Sequence, residues 1–253
     1  MSIDNKFVDV ISPLPLFLLH HSDWNDCPSR SAAWKLWEKH FMAFENNWNG
    51  TDRFAPFQGS AVQRQSIREE NFSFVAHGVL FFSLHWLGGG KDSRTAARMA
   101  DNDAWIEEQV QKHGESISSG RTRAVVIFSH ALTKSDLSQN SLQLIRNSFE
   151  RYDVPVVLFK GDKHSFEICD SFLGVGVGWD NFKIVQVDQG GNAPPIRVSI
   201  LGEGMSSASP SDSNATIPLA DFIHLDRRGG LYSWAPTDQL PNACGAVSRG
   251  EVY

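Results

Sequence analysis

Short apolar segments of strand length alternate along this chain with segments of helical periodicity, and this alternation most constrains the fold. Ala124–Phe128 and Val154–Phe159 are continuous apolar runs of strand length. Between them, Leu142, Ile145 and Phe149 recur at the spacing of a helix face. Fully buried strands separated by helices are typical of a sheet covered by helices. The sequence therefore predicts an α/β fold.

The same patterns predict the other elements. These are a strand over 16–19, a helix over 28–48, a hairpin over 72–84, a helix over 101–112 and strands over 182–187 and 196–200. Aromatic residues spaced by three and four along 28–48 predict a helix stripe packed in the core. The last two strands alternate apolar and polar residues, which predicts half-exposed antiparallel strands.

Composition changes after Leu201, which indicates a domain boundary. Residues 202–216 are rich in Gly, Ser and Pro and contain few apolar side chains, as flexible linkers do. Within the tail over 217–253, only 217–225 is apolar enough to dock. The predicted organisation is a domain over 1–201, a linker over 202–216 and a tail over 217–253.

Net charge, apolar segments and cysteine positions limit the kinds of partner and the compartment that we expect for the chain. The net charge is −6, from 23 Lys plus Arg and 29 Asp plus Glu, which excludes nucleic-acid binding through a strongly basic surface. The apolar run 14–19 contains Pro15 and is too short to span a membrane, so no membrane partner is predicted. The three cysteines lie far apart, which predicts neither a zinc knuckle nor a disulfide scaffold and favours a reducing, cytoplasmic compartment.

Three predicted strands end in polar turns that carry histidine: 20–23, 129–130 and 162–164. Ligand sites of α/β sheets gather at the carboxyl ends of strands. Carboxylate and imidazole together suit Mn, Fe or Zn. A hydrogen-bonded structural role fits each histidine equally well, so both interpretations stay open. No GxGxxG or Walker pattern is present, and we therefore expect no nucleotide cofactor.

Four segments occur in a specific order: Asp23–Pro28, Val126–His130, Gly161–Glu167 and Val185–Gly191. Together they resemble a branch of the calcineurin-like metallophosphoesterases over about residues 13–201. The resemblance implies a β-sandwich of two packed sheets flanked by helices, with two metal ions at the strand ends. It also implies hydrolysis of phosphate esters by a metal-bound hydroxide.

The resemblance also assigns the site residue by residue. The implied metal ligands are His21, His130, Asp162 and His164, and the implied catalytic residues are Ser22 and Asp23. The turn over 20–23 reads His-His-Ser-Asp where the family expects Gly-Asp-Asn-Asp. A histidine thus stands where a ligating Asp or Asn is expected, and the small residue that admits the metals is lost.

The first two ligand motifs of the family, Asp-x-His and Gly-Asp-x-x-Asp, are absent upstream of 20–23. Four ligands are too few for two ions, so we expect a degenerate site with weak binding of Mn, Fe or Zn. The absent segment would also supply central strands. The domain is therefore expected to be N-terminally incomplete, with strand edges that an oligomer or a partner would cover.

Three functions remain open at this stage. The chain is either a metal-dependent hydrolase of small phosphate esters, a non-catalytic scaffold or interaction module, or a truncated fragment of a longer active enzyme.

Overall fold

The computed structural model describes residues 8–9, 24, 27–43, 46, 62–86, 93–132, 135–163, 166–172, 174–187, 196–200, 217–219 and 223–227. The helices are α1 (Arg30–Phe41), α2 (Ser93–Ser118) and α3 (Asp136–Phe149). The strands are β1 (Val8–Asp9), β2 (Gln63–Arg64), β3 (Phe72–Ala76), β4 (Val79–Leu84), β5 (Ala124–Ser129), β6 (Val156–Lys160), β7 (Glu167–Cys169), β8 (Phe182–Gln186), β9 (Ile196–Ile200), β10 (Ile217–Leu219) and β11 (Ile223–Arg227). Among these described helices, none has the length and apolarity needed to cross a membrane.

A seven-stranded mixed sheet organises the described residues, in the order β2-β3-β4-β5-β6-β8-β7. Strands β4, β5, β6 and β8 are parallel, whereas β2, β3 and β7 run antiparallel to their neighbours. Helix α2 connects β4 to β5, and α3 connects β5 to β6. The α/β class predicted from the alternation is confirmed, and every interior strand of this sheet is paired on both sides.

The sheet is buried on both faces, which explains why its strands read as continuous apolar runs. Leu80 and Phe82 of β4 pack in one cluster with α2 and α3, including Trp105 and Ile145. The intervening residue of β4, Phe81, belongs to a second cluster. Burying each such side chain stabilises the fold by about 1.5–3 kcal/mol.

Strand β8 corrects one expectation. The alternation in 182–187 predicts a half-exposed antiparallel strand, but β8 pairs in parallel with β6 and is buried at four of its five positions. The polar residue Gln186 caused the error, because it is fully buried rather than exposed. Apolar–polar alternation indicates a solvated face only when the polar side chains reach water.

A second sheet, in the order β1-β9-β11-β10, is antiparallel throughout. The antiparallel prediction for 196–200 is therefore confirmed. Strand β11 pairs with β9 through a register that includes Ile223 opposite Ile200. Strand β10 and part of β11 lie in the 217–225 segment that is expected to dock. The expected linker, 202–216, lies outside the described residues.

The N-terminal helix is shorter than predicted. Helix α1 ends at Phe41, because Met42 adopts an extended conformation, with ψ 133°. Of its aromatic stripe, Trp37 is buried and stacks on Trp34, with ring centroids 5.7 Å apart. The last predicted stripe residue, Trp48, lies outside the described residues.

The cysteines differ from the reduced state that the sequence predicts. Cys169, at the end of β7, is disulfide-bonded. Cys27 is not in a disulfide. One crosslink is not a disulfide scaffold.

Candidate functional site

The carboxyl edge of the parallel strands brings several ionisable residues together. His85 follows β4, His130 follows β5, and Asp162 follows β6 by two residues. Parallel pairing continues past the strand ends, because the Gly161 N–H donates to the His130 carbonyl at 3.0 Å and the Val187 N–H donates to the Lys160 carbonyl at 2.8 Å. This edge is where α/β sheets most often bind ligands.

Two of the six predicted site residues, His130 and Asp162, are described, and both lie at this edge. The His130 ring packs over Gly161, the residue before Asp162: a Cβ built on Gly161 would lie 3.6 Å from His130 Cδ2. The other four predicted residues lie outside the described residues. They are His21, Ser22, Asp23 and His164.

The Asp162 carboxylate is held by groups of the protein itself. Its Oδ1 accepts a hydrogen bond from Lys160 Nζ at 2.9 Å, and its Oδ2 accepts one from the Leu132 N–H at 3.4 Å. The Lys160 side chain is 0% exposed, whereas that of Asp162 is 23% exposed. The site therefore contains a buried ammonium at the predicted ligand, and sequence reasoning missed this lysine.

Lys160 is held in place by the sheet and by an aromatic ring. It is the last residue of β6, directly opposite Gln186 of β8. Its Nζ lies 5.4 Å from the centroid of the Phe172 ring, a distance at which a cation is attracted to the ring face. Burial lowers the pKa of the Lys160 amine, and the carboxylate of Asp162 partly offsets this effect.

These contacts test whether Asp162 fits a metal ligand. Within the described part of the chain, no group of three or more His, Cys, Asp and Glu side chains is placed to hold an ion. Both oxygens of Asp162 already have donors, and a divalent ion bound there would lie beside the Lys160 ammonium. As arranged, Asp162 does not fit a metal ligand.

A second polar cluster lies at the end of β4, and sequence reasoning missed it as well. We define the Glu70 cluster as Glu70, His85 and Arg98. Arg98 Nη1 pairs with Glu70 Oε1 and lies 2.8 Å from His85 Nδ1, which in turn lies 3.2 Å from Glu70 Oε1. All three residues are buried. The available signal was His85 itself, which directly follows a predicted strand as His130 does.

Two buried asparagines attach this cluster to the surrounding elements. Asn71 Oδ1 accepts from the His85 N–H at 2.8 Å, and Asn71 Nδ2 donates to Asn102 Oδ1 at 2.7 Å. Asn102 Nδ2 donates to the His85 carbonyl at 3.0 Å. The start of β3, the end of β4 and helix α2 are thus joined by side chains whose amide groups are paired, as buried polar groups require.

Aromatic rings enclose the outer side of Arg98. Its guanidinium carbon lies 5.7 Å from the Trp24 ring centroid and 5.8 Å from that of Trp34. The Trp24 ring also approaches the His85 ring edge-on, with centroids 6.4 Å apart. Trp24 directly follows the predicted catalytic residue Asp23 in the sequence. The Glu70 cluster therefore anchors the chain next to the predicted catalytic turn.

The electrostatics of Glu70 follow from two opposing effects. Burial is the largest and acts to raise the pKa of the Glu70 carboxyl. The hydrogen bond with His85 and the positive charge of Arg98 outweigh burial, so the pKa of the Glu70 carboxyl lies below its ordinary value. Glu70 is thus held as a carboxylate, in a structural role rather than as a proton donor.

Comparison with known proteins finds no matching family model, no matching curated protein and no matching solved structure. The carboxyl edge contributes an imidazole, an ammonium and a carboxylate, with the last two paired to each other.

Proposed function

We propose that this chain is a metallophosphoesterase-like protein with a degenerate metal site and with little or no hydrolysis of phosphate esters. The observation that carries the proposal is the ion pair between Lys160 and Asp162, 2.9 Å apart. Asp162 is one of the implied metal ligands, and its charge is already balanced by the protein. A small phosphate ester is the substrate class for any activity that remains.

The sheet supports the relationship to the family. Parallel strands covered by helices bring His130 and Asp162 to one edge, as the resemblance implies. A second, antiparallel sheet is present as well. The proposal includes the packing of these two sheets as a metallophosphoesterase sandwich.

The chemistry of the described residues supports a low rate. Two-metal hydrolysis uses a pair of cations that clamp the attacking and leaving oxygens. Here Lys160, a cation at this edge of the sheet, is neutralised by Asp162 and excluded from solvent. Losing one group that stabilises transition-state charge lowers a rate by about a hundredfold to a thousandfold. The same ion pair favours the second candidate, a non-catalytic scaffold or interaction module.

Hydrolysis of 4-nitrophenyl phosphate by the full chain, with and without added Mn²⁺, tests the proposal. We expect rates close to the buffer background at every Mn²⁺ concentration. The matched control is His77→Asn, which changes an exposed histidine in the turn between β3 and β4. Brisk Mn²⁺-dependent hydrolysis that His164→Ala or His130→Ala abolishes and His77→Asn retains would overturn the degenerate interpretation.

A further inference from the structure

Lys160 and Asp162 form an ion pair whose two halves are exposed to different extents. The lysine side chain has no contact with solvent, while the aspartate is partly exposed. The lysine therefore depends on this carboxylate, because an ammonium is rarely buried without a partner. The aspartate has no such need, since water can solvate it.

The lysine is also unable to move away easily. Its backbone carbonyl accepts from Val187 at 2.8 Å, and its ammonium lies against the Phe172 ring. Its neighbours Phe159 and Leu158 are buried in opposite faces of the sheet. The position of Nζ is thus set by the end of β6 rather than by a flexible surface stem.

We infer that the Lys160 ammonium is a built-in cation that replaces a metal ion at Asp162. This inference rests on the proposed function, because it explains how the site became degenerate. An ion that recruited Asp162 would leave the ammonium buried without its partner. That penalty weakens metal binding at Asp162 by on the order of a hundredfold or more.

The inference has a specific consequence for Lys160→Met. The methionine side chain is unbranched like that of lysine but ends one atom short of the ammonium position, and it carries no charge. Asp162 Oδ1 is then left without its cation. We expect the variant to bind Mn²⁺ or Zn²⁺ at least about tenfold more tightly than the wild-type chain does, which corresponds to about 1.4 kcal/mol.

Isothermal titration calorimetry of the full chain with Mn²⁺ and with Zn²⁺ measures this gain. The matched control is Lys183→Met, which removes the lysine of another Lys–Asp pair, Lys183 Nζ to Asp170 Oδ1 at 2.5 Å. The double variant Lys160→Met/Asp162→Asn tests whether the gained affinity uses the carboxylate. Circular dichroism and thermal melts establish that each variant is folded.

The inference is supported if Lys160→Met binds the metal more tightly than the wild-type chain. This gain in affinity must be lost in the double variant and absent from Lys183→Met. A folded Lys160→Met without a gain, or an equal gain in Lys183→Met, overturns the inference. If Lys160→Met does not fold, Asp162→Asn in the wild-type background decides it: unchanged metal affinity supports the inference, and a loss overturns it. Mn²⁺-dependent turnover by the wild-type chain would overturn the proposed function instead, since that assay reads hydrolysis rather than affinity.

Discussion

The guanidinium of Arg98 pairs with the carboxylate of Glu70 in a nearly closed environment, where the two side chains are 10% and 3% exposed. The pair joins helix α2, which contains Arg98, to the segment just before strand β3, which contains Glu70. Because each charge is buried, each depends on the other. This relationship makes the pair more important to stability than the exposed ion pairs of the same protein.

Replacing Arg98 by Met should destabilise the fold strongly. The change leaves the Glu70 carboxylate buried without its main cation, which typically lowers the free energy of unfolding by about 3–5 kcal/mol. Urea unfolding measures the loss. The control is Arg121→Met. The side chains of Arg121 and its partner Glu115 are 65% and 90% exposed, so this variant should change the free energy of unfolding little. Equal losses in both variants would contradict the special role of the buried pair.

Glu70 should also make stability depend on pH on the acid side. Its folded-state pKa lies below the unfolded value, so the unfolded chain binds the proton more readily. The stabilisation is therefore present at neutral pH and is lost as the pH falls through and below the ordinary carboxyl range.

The variant Glu70→Gln tests this dependence. We expect it to be less stable at neutral pH and to lose less stability than the wild-type chain between pH about 6 and about 3, the range in which carboxyls titrate. Urea unfolding across a pH series provides the measurement, with Glu115→Gln as the exposed control. A Glu70→Gln profile parallel to that of the wild type would refute the prediction.

Asp162→Asn should destabilise the protein even though Asp162 lies near the surface. The reason is its partner, since the Lys160 ammonium would remain buried without a countercharge. We expect a loss of about 2 kcal/mol, below the 3–5 kcal/mol or so of a fully buried pair because Asp162 is 23% exposed. Asp170→Asn, which removes a 49% exposed carboxylate from Lys183, should lose clearly less. Thermal or urea unfolding of both variants compares them.

The turn between β3 and β4 offers a test of backbone conformation. His77 and Gly78 both have positive φ, 50° and 73°, as a two-residue hairpin turn of the favoured twist requires. A Cβ on Gly78 would lie 2.9 Å from the Arg121 carbonyl oxygen, so Gly78→Ala combines backbone strain with a clash. We expect a loss of about 1–2 kcal/mol or slightly more.

Gly120→Ala separates the two causes. Gly120 has a similar φ of 74° but nothing within 4 Å of the added Cβ, so only the strain remains. Urea unfolding should show a smaller loss for Gly120→Ala than for Gly78→Ala. The reverse order would contradict the clash.

His77→Asn should raise the free energy of unfolding by a few tenths of a kcal/mol, because asparagine tolerates positive φ. Urea unfolding measures this gain as well.

Local sequence patterns predict the helices and strands better than they predict which strands pair and in which direction. The hairpin over 72–84, β5, β6 and α3 were recognised from apolar runs and helical spacing, because these signals depend on neighbouring residues. The direction of β8 was predicted wrongly, since its pairing with β6 depends on residues 26 positions away, as in Val156 opposite Phe182. Pairing across such distances leaves no mark in a local pattern.

The sequence by itself determined that the chain is α/β, that polar residues follow its buried strands, and that His130 and Asp162 belong to one edge. These conclusions need only periodicity and the rule that the carboxyl ends of parallel strands meet. Only the tertiary structure decided that Glu70, His85 and Arg98 form one buried cluster and that the Lys160 ammonium balances Asp162. The physical reason is that burial converts a surface charge into one that needs a partner, and burial is a property of the packed chain rather than of any residue.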